Sequence, residues 1–315
     1  MSIKKILIVI LIFLIGLLGY NRYLYKKKVQ NYPQKPLNLI VGFKKGGGTD
    51  ISANFLKEVM KNNLTLNIIN IPGDNGILGL KKFLEEDNDG YNLVLFNYPS
   101  FYYLNELKKY NINREDYEIL FSYVYDPGVL IVNKNSDIKN YKDFIEKSKN
   151  FDFTIGENGI GASDYILAKM LAKKLKILPK YISFSSSSQM LEALEYGYID
   201  SAILKESEII DSIKNDKIRA IMAFSNKKLT FLEDIPLGKD MGCNLNMGSI
   251  RGIAIKKNTP FYIKNYLRKV FKERLEEEDV IELAKKYNIP FYYLDGEKVN
   301  KYIENKNIEI NNNIF

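Results

Sequence analysis

Leu37-Asn38-Leu39-Ile40-Val41, then Gly46-Gly47-Gly48-Thr49-Asp50, then Ile51, Phe55, Leu56, Val59 and Met60 at helical spacing: this stretch decides the fold. The first five residues are mostly apolar and β-prone, which predicts a short strand. The glycines end it. Apolar residues that then recur every three to four positions predict an amphipathic helix. Strand, glycine loop and helix in that order open a parallel βαβ unit.

The pattern continues outward. Residues 66–71 predict a second strand, closed by Pro72-Gly73-Asp74-Asn75-Gly76; a helix over 78–85, a turn at Asp89-Gly90 and a strand over 92–96 follow. It then starts again. A strand over 129–132 and a helix over 141–148 lead to a strand over 151–155 and a second glycine loop, Gly156-Glu157-Asn158-Gly159-Ile160-Gly161. Ile166, Leu167, Met170 and Leu171 mark the next helix. After a strand over 180–184, Ser186 and Gln189 stand at capping-box spacing before a helix ending near Leu194. Further strands are predicted over 199–204, 218–224 and 250–255, and helices over 261–276, 279–287 and 296–305.

With 315 residues, the chain is long enough for roughly two domains of about 150 residues. Each α/β unit carries a glycine loop between a strand and a helix. Such loops offer unpaired N–H groups and the positive end of a helix to an anion. In open α/β sheets, ligands sit at the carboxyl ends of the strands. Two such loops facing each other would grip a small anion from both sides.

Composition removes several function classes. The net charge of +8 comes mostly from residues 1–30, which hold six basic side chains and no acid; the rest has 40 basic against 38 acidic residues. A nucleic-acid partner is therefore not expected. There is no histidine and one cysteine, Cys243. That removes Ser-His-Asp and Cys-His catalysis, an internal disulfide and Cys-rich metal sites. Neither glycine loop has the Gly-Lys-Ser/Thr ending of a P-loop or the G-x-G-x-x-G order of a dinucleotide fingerprint. An enzyme using the first loop for a phosphorylated cofactor would need a nearby base. Only Asp50, Glu157 and Asp164 are candidates, and they form no recognisable pair. No catalytic residue, cofactor or metal is expected. Phe101-Tyr102-Tyr103 and Phe291-Tyr292-Tyr293 read as packing residues, and the acidic run 276–279 as a solvated helix face.

Residues 1–5 are short and basic, and residues 6–18 are apolar throughout. This reads as an export signal, too short for an ordinary span. No small-x-small cleavage site follows, so the segment is expected to remain as an anchor, with residues 21–34 as a polar tether.

Taken in order, these stretches resemble the substrate-binding proteins of tripartite tricarboxylate transporters, the Bug family. Tyr32-Pro33-Gln34-Lys35-Pro36 through Phe43 and Gly46-Gly47-Gly48-Thr49-Asp50 resembles the family's opening, Y-P-x-K-P…P-F-x-x-G-G-G-T-D. Asn70-Ile71-Pro72-Gly73-Asp74-Asn75-Gly76 resembles N-x-P-G-A-G-G, and Asp89-Gly90-Tyr91 matches D-G-Y. Gly159-Ile160-Gly161-Ala162-Ser163, Gly197-Tyr198-Ile199-Asp200, Lys217-Ile218-Arg219-Ala220, Leu232-Glu233-Asp234-Ile235-Pro236 and Thr259-Pro260 continue the series.

The resemblance implies a two-lobed periplasmic-binding-protein fold of the type II, flytrap-like kind, with a ligand cleft between α/β lobes. Lobe one would hold residues 32–128 and 250–315, lobe two residues 129–249, and residues 1–31 the leader and tether. The implied ligand is a small organic acid held through backbone amides. By position the site would comprise Phe43, Gly47, Gly48, Thr49 and Asp50 in lobe one, and Gly159, Gly161, Ala162, Ser163 and Asp200 in lobe two. The implied partners are the membrane subunits of a transporter, or else a membrane receptor to which the protein presents its ligand. The protein would be a monomer working outside the cytoplasmic membrane. The sequence departs from the family at Asn54, Tyr165, Phe184-Ser185-Ser186 and Ile250, and at Lys44 and Lys45 before the first loop. These departures bear on the ligand more than on the fold.

Overall fold

The computed structural model describes residues 32–108 and 110–314, with Ile10, Phe13 and Gly16. Most of the expected leader and of the tether lies outside the described residues. Among the described residues, no helix is long and apolar enough to cross a membrane.

Strand β1 (Leu37–Val41) leads to helix α1 (Gly48–Met60), strand β2 (Leu66–Asn70), helix α2 (Ile77–Glu85) and strand β3 (Asn92–Tyr98). β1 lies between β2 and β3 and is parallel to both, with Leu37 opposite Leu66 and Asn38 opposite Asn92. Helix α3 (Ser100–Lys108), the long strand β4 (Tyr117–Asn133) and helix α4 (Tyr141–Lys147) follow. A second unit then repeats the first: β5 (Thr154–Glu157), α5 (Ser163–Leu175), β6 (Lys180–Ser183), α6 (Ser187–Glu195) and β7 (Ser201–Lys205). Again the first strand is central and parallel to the other two. This shared order sends α1 and α5 off from a central strand, where an open α/β sheet has its binding crevice. Ser186 caps α6 by accepting from Gln189 N at 3.3 Å, as the sequence predicts.

The remaining elements are α7 (Glu206–Lys214), β8 (Ile218–Ala223), β9 (Gly248–Lys256), α8 (Phe261–Leu275), α9 (Asp279–Lys286), β10 (Phe291–Asp295) and α10 (Gly296–Ile314). β9 pairs antiparallel with β3 and with the first part of β4, from Tyr117 opposite Lys256 to Pro127 opposite Gly248. From Gly128 onward, β4 pairs with β7 and β8 instead. One strand therefore belongs to both halves of a ten-stranded sheet. Of β4, the sequence predicted only residues 129–132. The Asp126-Pro127-Gly128 run resembles a turn, yet it falls where the strand changes neighbours.

Helices α1, α8 and α9 cover one face of the first half, around Leu39, Phe55, Leu56, Phe121 and Phe271. Each fully buried Leu or Phe contributes about 1.5–3 kcal/mol. A second core runs from Phe83, Phe96 and Tyr98 across to Ile166, Leu167 and Met170 of α5, and takes in Val299, Ile303 and Ile310 of α10. α10 touches both halves: Tyr98 Oη donates to Asn307 Oδ1 at 2.9 Å, and Lys173 Nζ to the Asn312 carbonyl at 3.4 Å.

β9 is squeezed between β3 and β4 at Gly252, where a Cβ would meet the Phe121 carbonyl oxygen and, at 2.5 Å, the Phe96 ring. Backbone cannot step aside in mid-sheet. Gly252→Ala is expected to destabilise the protein by about 1–3 kcal/mol, the usual cost of overpacking, read as a lower denaturant midpoint at unchanged slope.

Candidate ligand-binding site

The first glycine loop is held by an acid turned inward. Gly46 takes φ +80, which lets the chain turn from β1 into α1. The Asp50 carboxylate accepts from Gly46 N at 2.9 Å, Asn70 Nδ2 at 2.8 Å and Asn54 Nδ2 at 3.2 Å. Asn70 also donates to the Phe43 carbonyl at 3.0 Å, tying both ends of the loop to β2. The ring of Phe43 packs over Gly76. Asp50 is thus a brace for the loop. What the loop presents outward is backbone: the N–H groups of Gly48 and Thr49, in the first turn of α1, have no acceptor among the described residues.

The second loop is built alike. Glu157 is buried and accepts from Gly159 N and Ser183 Oγ. Burial pushes its carboxyl above the ordinary range, against the pull of those two donors. Asp164 Oδ1 accepts from Asn158 N at 3.0 Å. Gly161 takes φ +86, Ala162 precedes the first helical residue, and Ser163 and Asp164 open α5 with N–H groups that have no acceptor among the described residues.

The second loop meets the turn after β2 and helix α3: Asn75 Nδ2 donates to the Ile160 carbonyl at 3.3 Å, and a Cβ at Gly161 would lie 2.6 Å from Leu104 of α3. Between these segments a cavity of about 330 Å³ is lined by Asp74, Asn75, Leu104, Gly159 and Ile160. The first loop approaches the second through Glu208 of α7: a Cβ on Gly48 would lie 3.8 Å from Glu208 Oε1, which accepts from Ser187 Oγ at 2.9 Å, and Ser187 Oγ lies 3.1 Å from Asn158 Oδ1 of the second loop.

Beneath the loops lies a chain of charge that the sequence reading missed. Lys205, at the end of β7, donates to Asp164 Oδ2 at 2.8 Å and approaches Glu208 Oε2 at 3.6 Å. Burial disfavours the Lys205 charge, but the Asp164 and Glu208 carboxylates outweigh it and hold its pKa above the ordinary lysine value. Glu208 Oε1 accepts from Ser187 Oγ at 2.9 Å. Arg251 of β9 reaches Asp126 Oδ2 at 3.3 Å and donates to Ser52 Oγ at 3.1 Å. Asp126 in turn accepts from Ser207 N at 3.2 Å and Ser207 Oγ at 2.6 Å, which links α7 to the strand shared by both halves. Burial pushes the Asp126 carboxyl up; Arg251 pulls it back and Glu208 adds to the rise. A signal for these residues exists in the sequence: single charges such as Arg251 in Ile250-Arg251-Gly252-Ile253 and Lys205 after Ala202-Ile203-Leu204 interrupt apolar runs.

Of the residues singled out from sequence, Gly47, Gly48 and Thr49 surround the start of α1, and Gly159, Gly161, Ala162 and Ser163 the start of α5. Asp200 is not among them in space. Its carboxylate accepts from Thr154 N at 2.8 Å and Thr154 Oγ1 at 2.7 Å, at the opening end of β5, whereas the loop leaves the closing end.

Residues 53–314 match the family described as "Tripartite tricarboxylate transporter family receptor". A Cupriavidus necator protein, "UPF0065 protein in gbd 5'region", is 24% identical over 276 residues, covering 86% of this chain and 84% of its own length. MatC of Rhodopseudomonas palustris, solved with bound malate, superposes with a TM-score of 0.77 at 19% identity, over 90% of this chain and 100% of that one. R. palustris Rpa4515, solved with adipate, gives a TM-score of 0.80 at 16% identity, over 90% and 98%.

Proposed function

The chain belongs to the tripartite tricarboxylate transporter receptor family, and from that premise we propose that it is an extracytoplasmic solute-binding protein that captures a small organic acid for a transporter of that kind. The observation that carries this reading is the pair of braced glycine loops, each opening a helix of 13 residues with free N–H groups and linked to one another through Glu208 and Ser187. A carboxylate placed between two helix N-termini gains about 0.3–1 kcal/mol from each at exposed sites and more when shielded. The malate and adipate bound by the two structural neighbours are acids of the same class. Gly47, Gly48, Thr49, Gly159, Gly161, Ala162 and Ser163 are the proposed contacts, largely through backbone, with Phe43 and Asp50 shaping the first loop.

We take residues 32–128 and 250–315 as one lobe and 129–249 as the other. The change of β4's partners between Pro127 and Gly128 supports that boundary. Hinge closure about the two crossings would trap the ligand. Residues 6–18 would export the protein and keep it, as a monomer, beside the membrane and its transporter subunits. Binding and release are the whole of the proposed activity, with no chemical step.

A thermal-shift panel of dicarboxylates, tricarboxylates, acidic amino acids and neutral sugars tests the reading. A carboxylate at 100 times its Kd should stabilise the protein by about 2.7 kcal/mol. Stabilisation by sugars alone would overturn the ligand class.

A further inference from the structure

A second cavity, of about 550 Å³, lies between the last turn of α5, the segment that joins β8 to β9, and α10. Lys173 and Lys174 line it from α5, and Asn226, Asn244 and Asn246 from the joining segment. Lys306 and Glu309 line it from α10, so both halves of the fold contribute. The helix that opens at the second glycine loop with Ser163 thus ends at this cavity, about 15 Å further along its axis.

Donors dominate the lining. Among the described residues, Leu245 is its one apolar side chain and Glu309 its one acid. Glu309 is taken by Lys306, whose side chain is 11% exposed. The charges of Lys173 and Lys174 are therefore uncompensated within the lining, and Lys173 Nζ reaches only a carbonyl, that of Asn312 at 3.4 Å. Tyr125 Oη donates to Asn246 Oδ1 at 2.8 Å, which commits the oxygen and leaves the amide N–H groups as the free end. A helix dipole favours lysines in a last turn. Yet Lys176 N already meets the Lys173 carbonyl and Ile177 N that of Ala172, while Lys306 stands in mid-helix.

Three lysines against one glutamate, with the amides of three asparagines, suit a small polar dianion. Ammonium groups act as point charges and suit the tetrahedral oxygens of a phosphate; a planar carboxylate is better served by a guanidinium fork. The volume is that of a small-molecule pocket. It leaves room beside a phosphate for a body with hydroxyl groups, which asparagine oxygens and amides can both meet.

We propose that this cavity is a second binding site, which takes a small phosphate monoester bearing hydroxyl groups and joins the two halves at the far end of α5 from the glycine loops. It stands apart from the carboxylate cleft, and neither site needs the other to exist.

Titration calorimetry on the full-length protein with glycerol 3-phosphate, inorganic phosphate, sulfate and glycerol tests the inference. Glycerol 3-phosphate should bind at least ten-fold tighter than sulfate, and glycerol should not bind. Lys174→Gln and Lys306→Gln should each weaken glycerol 3-phosphate at least five-fold, and Lys174→Arg, which keeps the charge, should weaken it less. Lys174 is exposed, so its variants serve if the change at Lys306 disturbs α10. Lys174→Gln should also leave the affinity for the carboxylate found by the thermal-shift panel unchanged. Sulfate binding as tightly as glycerol 3-phosphate would mean an adventitious ion only and overturns the inference. So does binding that both glutamine variants leave intact, binding that the cleft carboxylate displaces, or no binding of glycerol 3-phosphate at all. A panel in which no carboxylate binds would count against the cleft reading alone.

Discussion

Gly48→Leu should weaken ligand capture at least a hundred-fold and leave the protein folded. Gly48 lies in the first turn of α1 with an ordinary negative φ, so the backbone accepts a side chain there. The first carbon of that side chain is also tolerated: its nearest neighbours are the far ends of Arg251 and Glu208, at 3.4 Å and 3.8 Å. The remaining carbons are expected to extend among Arg251, Glu208 and the first turn of α1, where they would cover its free N–H groups. A leucine is moreover the better helix former, by somewhat under 1 kcal/mol, which offsets part of any strain. Gly47→Ala should weaken capture far less, because a Cβ there meets only the Lys44 carbonyl oxygen at 3.5 Å and leaves the backbone N–H groups in place. Calorimetry with whichever carboxylate the panel identifies reads the affinity, and a melting curve reads the fold. A large loss of melting temperature with affinity retained would make Gly48 a structural residue instead.

Asp126→Ala should cost about 3–5 kcal/mol of stability at neutral pH, the usual penalty for stranding a buried charge. Asp126 is fully buried and is the carboxylate that Arg251 faces, while Arg251 itself is 2% exposed and unable to turn to water. The same change removes both bonds from Ser207, and with them a tie between α7 and β4. Replacing Asp126 and Arg251 together, by Ala and Met, should cost much less than the sum of the single changes, since the uncompensated guanidinium is then gone. Denaturant unfolding of the four proteins of this cycle gives the coupling directly. Additive effects would mean that the pair contributes little beyond its packing.

The repeated strand, glycine loop and helix were legible because they are local. Leu37 to Val41 and Ile51 to Met60 declare their structure by period, and the glycines mark the joint. The two glycine loops of the candidate site are legible for the same reason. Other features depend on contacts between distant residues. β4 is long because Tyr117 to Pro127 find β9, which lies more than 100 residues away, and no neighbouring residue hints at that. The charges below the loops come from β4, α5, β7, α7 and β9, and each alone reads as an isolated polar residue. The resemblance implies Asp50 as a ligand contact, while Asn70 and Asn54 draw its carboxylate inward. Asp200 was carried over from a motif, and its bonds to Thr154 show a cap at the far end of a strand.

That a single strand, β4, serves both halves has a consequence for how the protein comes apart. Were the halves joined only by loops, each could melt at its own temperature. Here, fraying β4 from β9 and β10 removes the edge on which β7 and β8 are paired, and the reverse holds too. α10 adds a second tie, packing on the core that runs across both halves. The two halves of the sheet are therefore expected to unfold as one cooperative unit, in a single transition by calorimetry. A ligand bound at the loops would then protect from exchange those amides of either half that open only by global unfolding, including ones far from the loops.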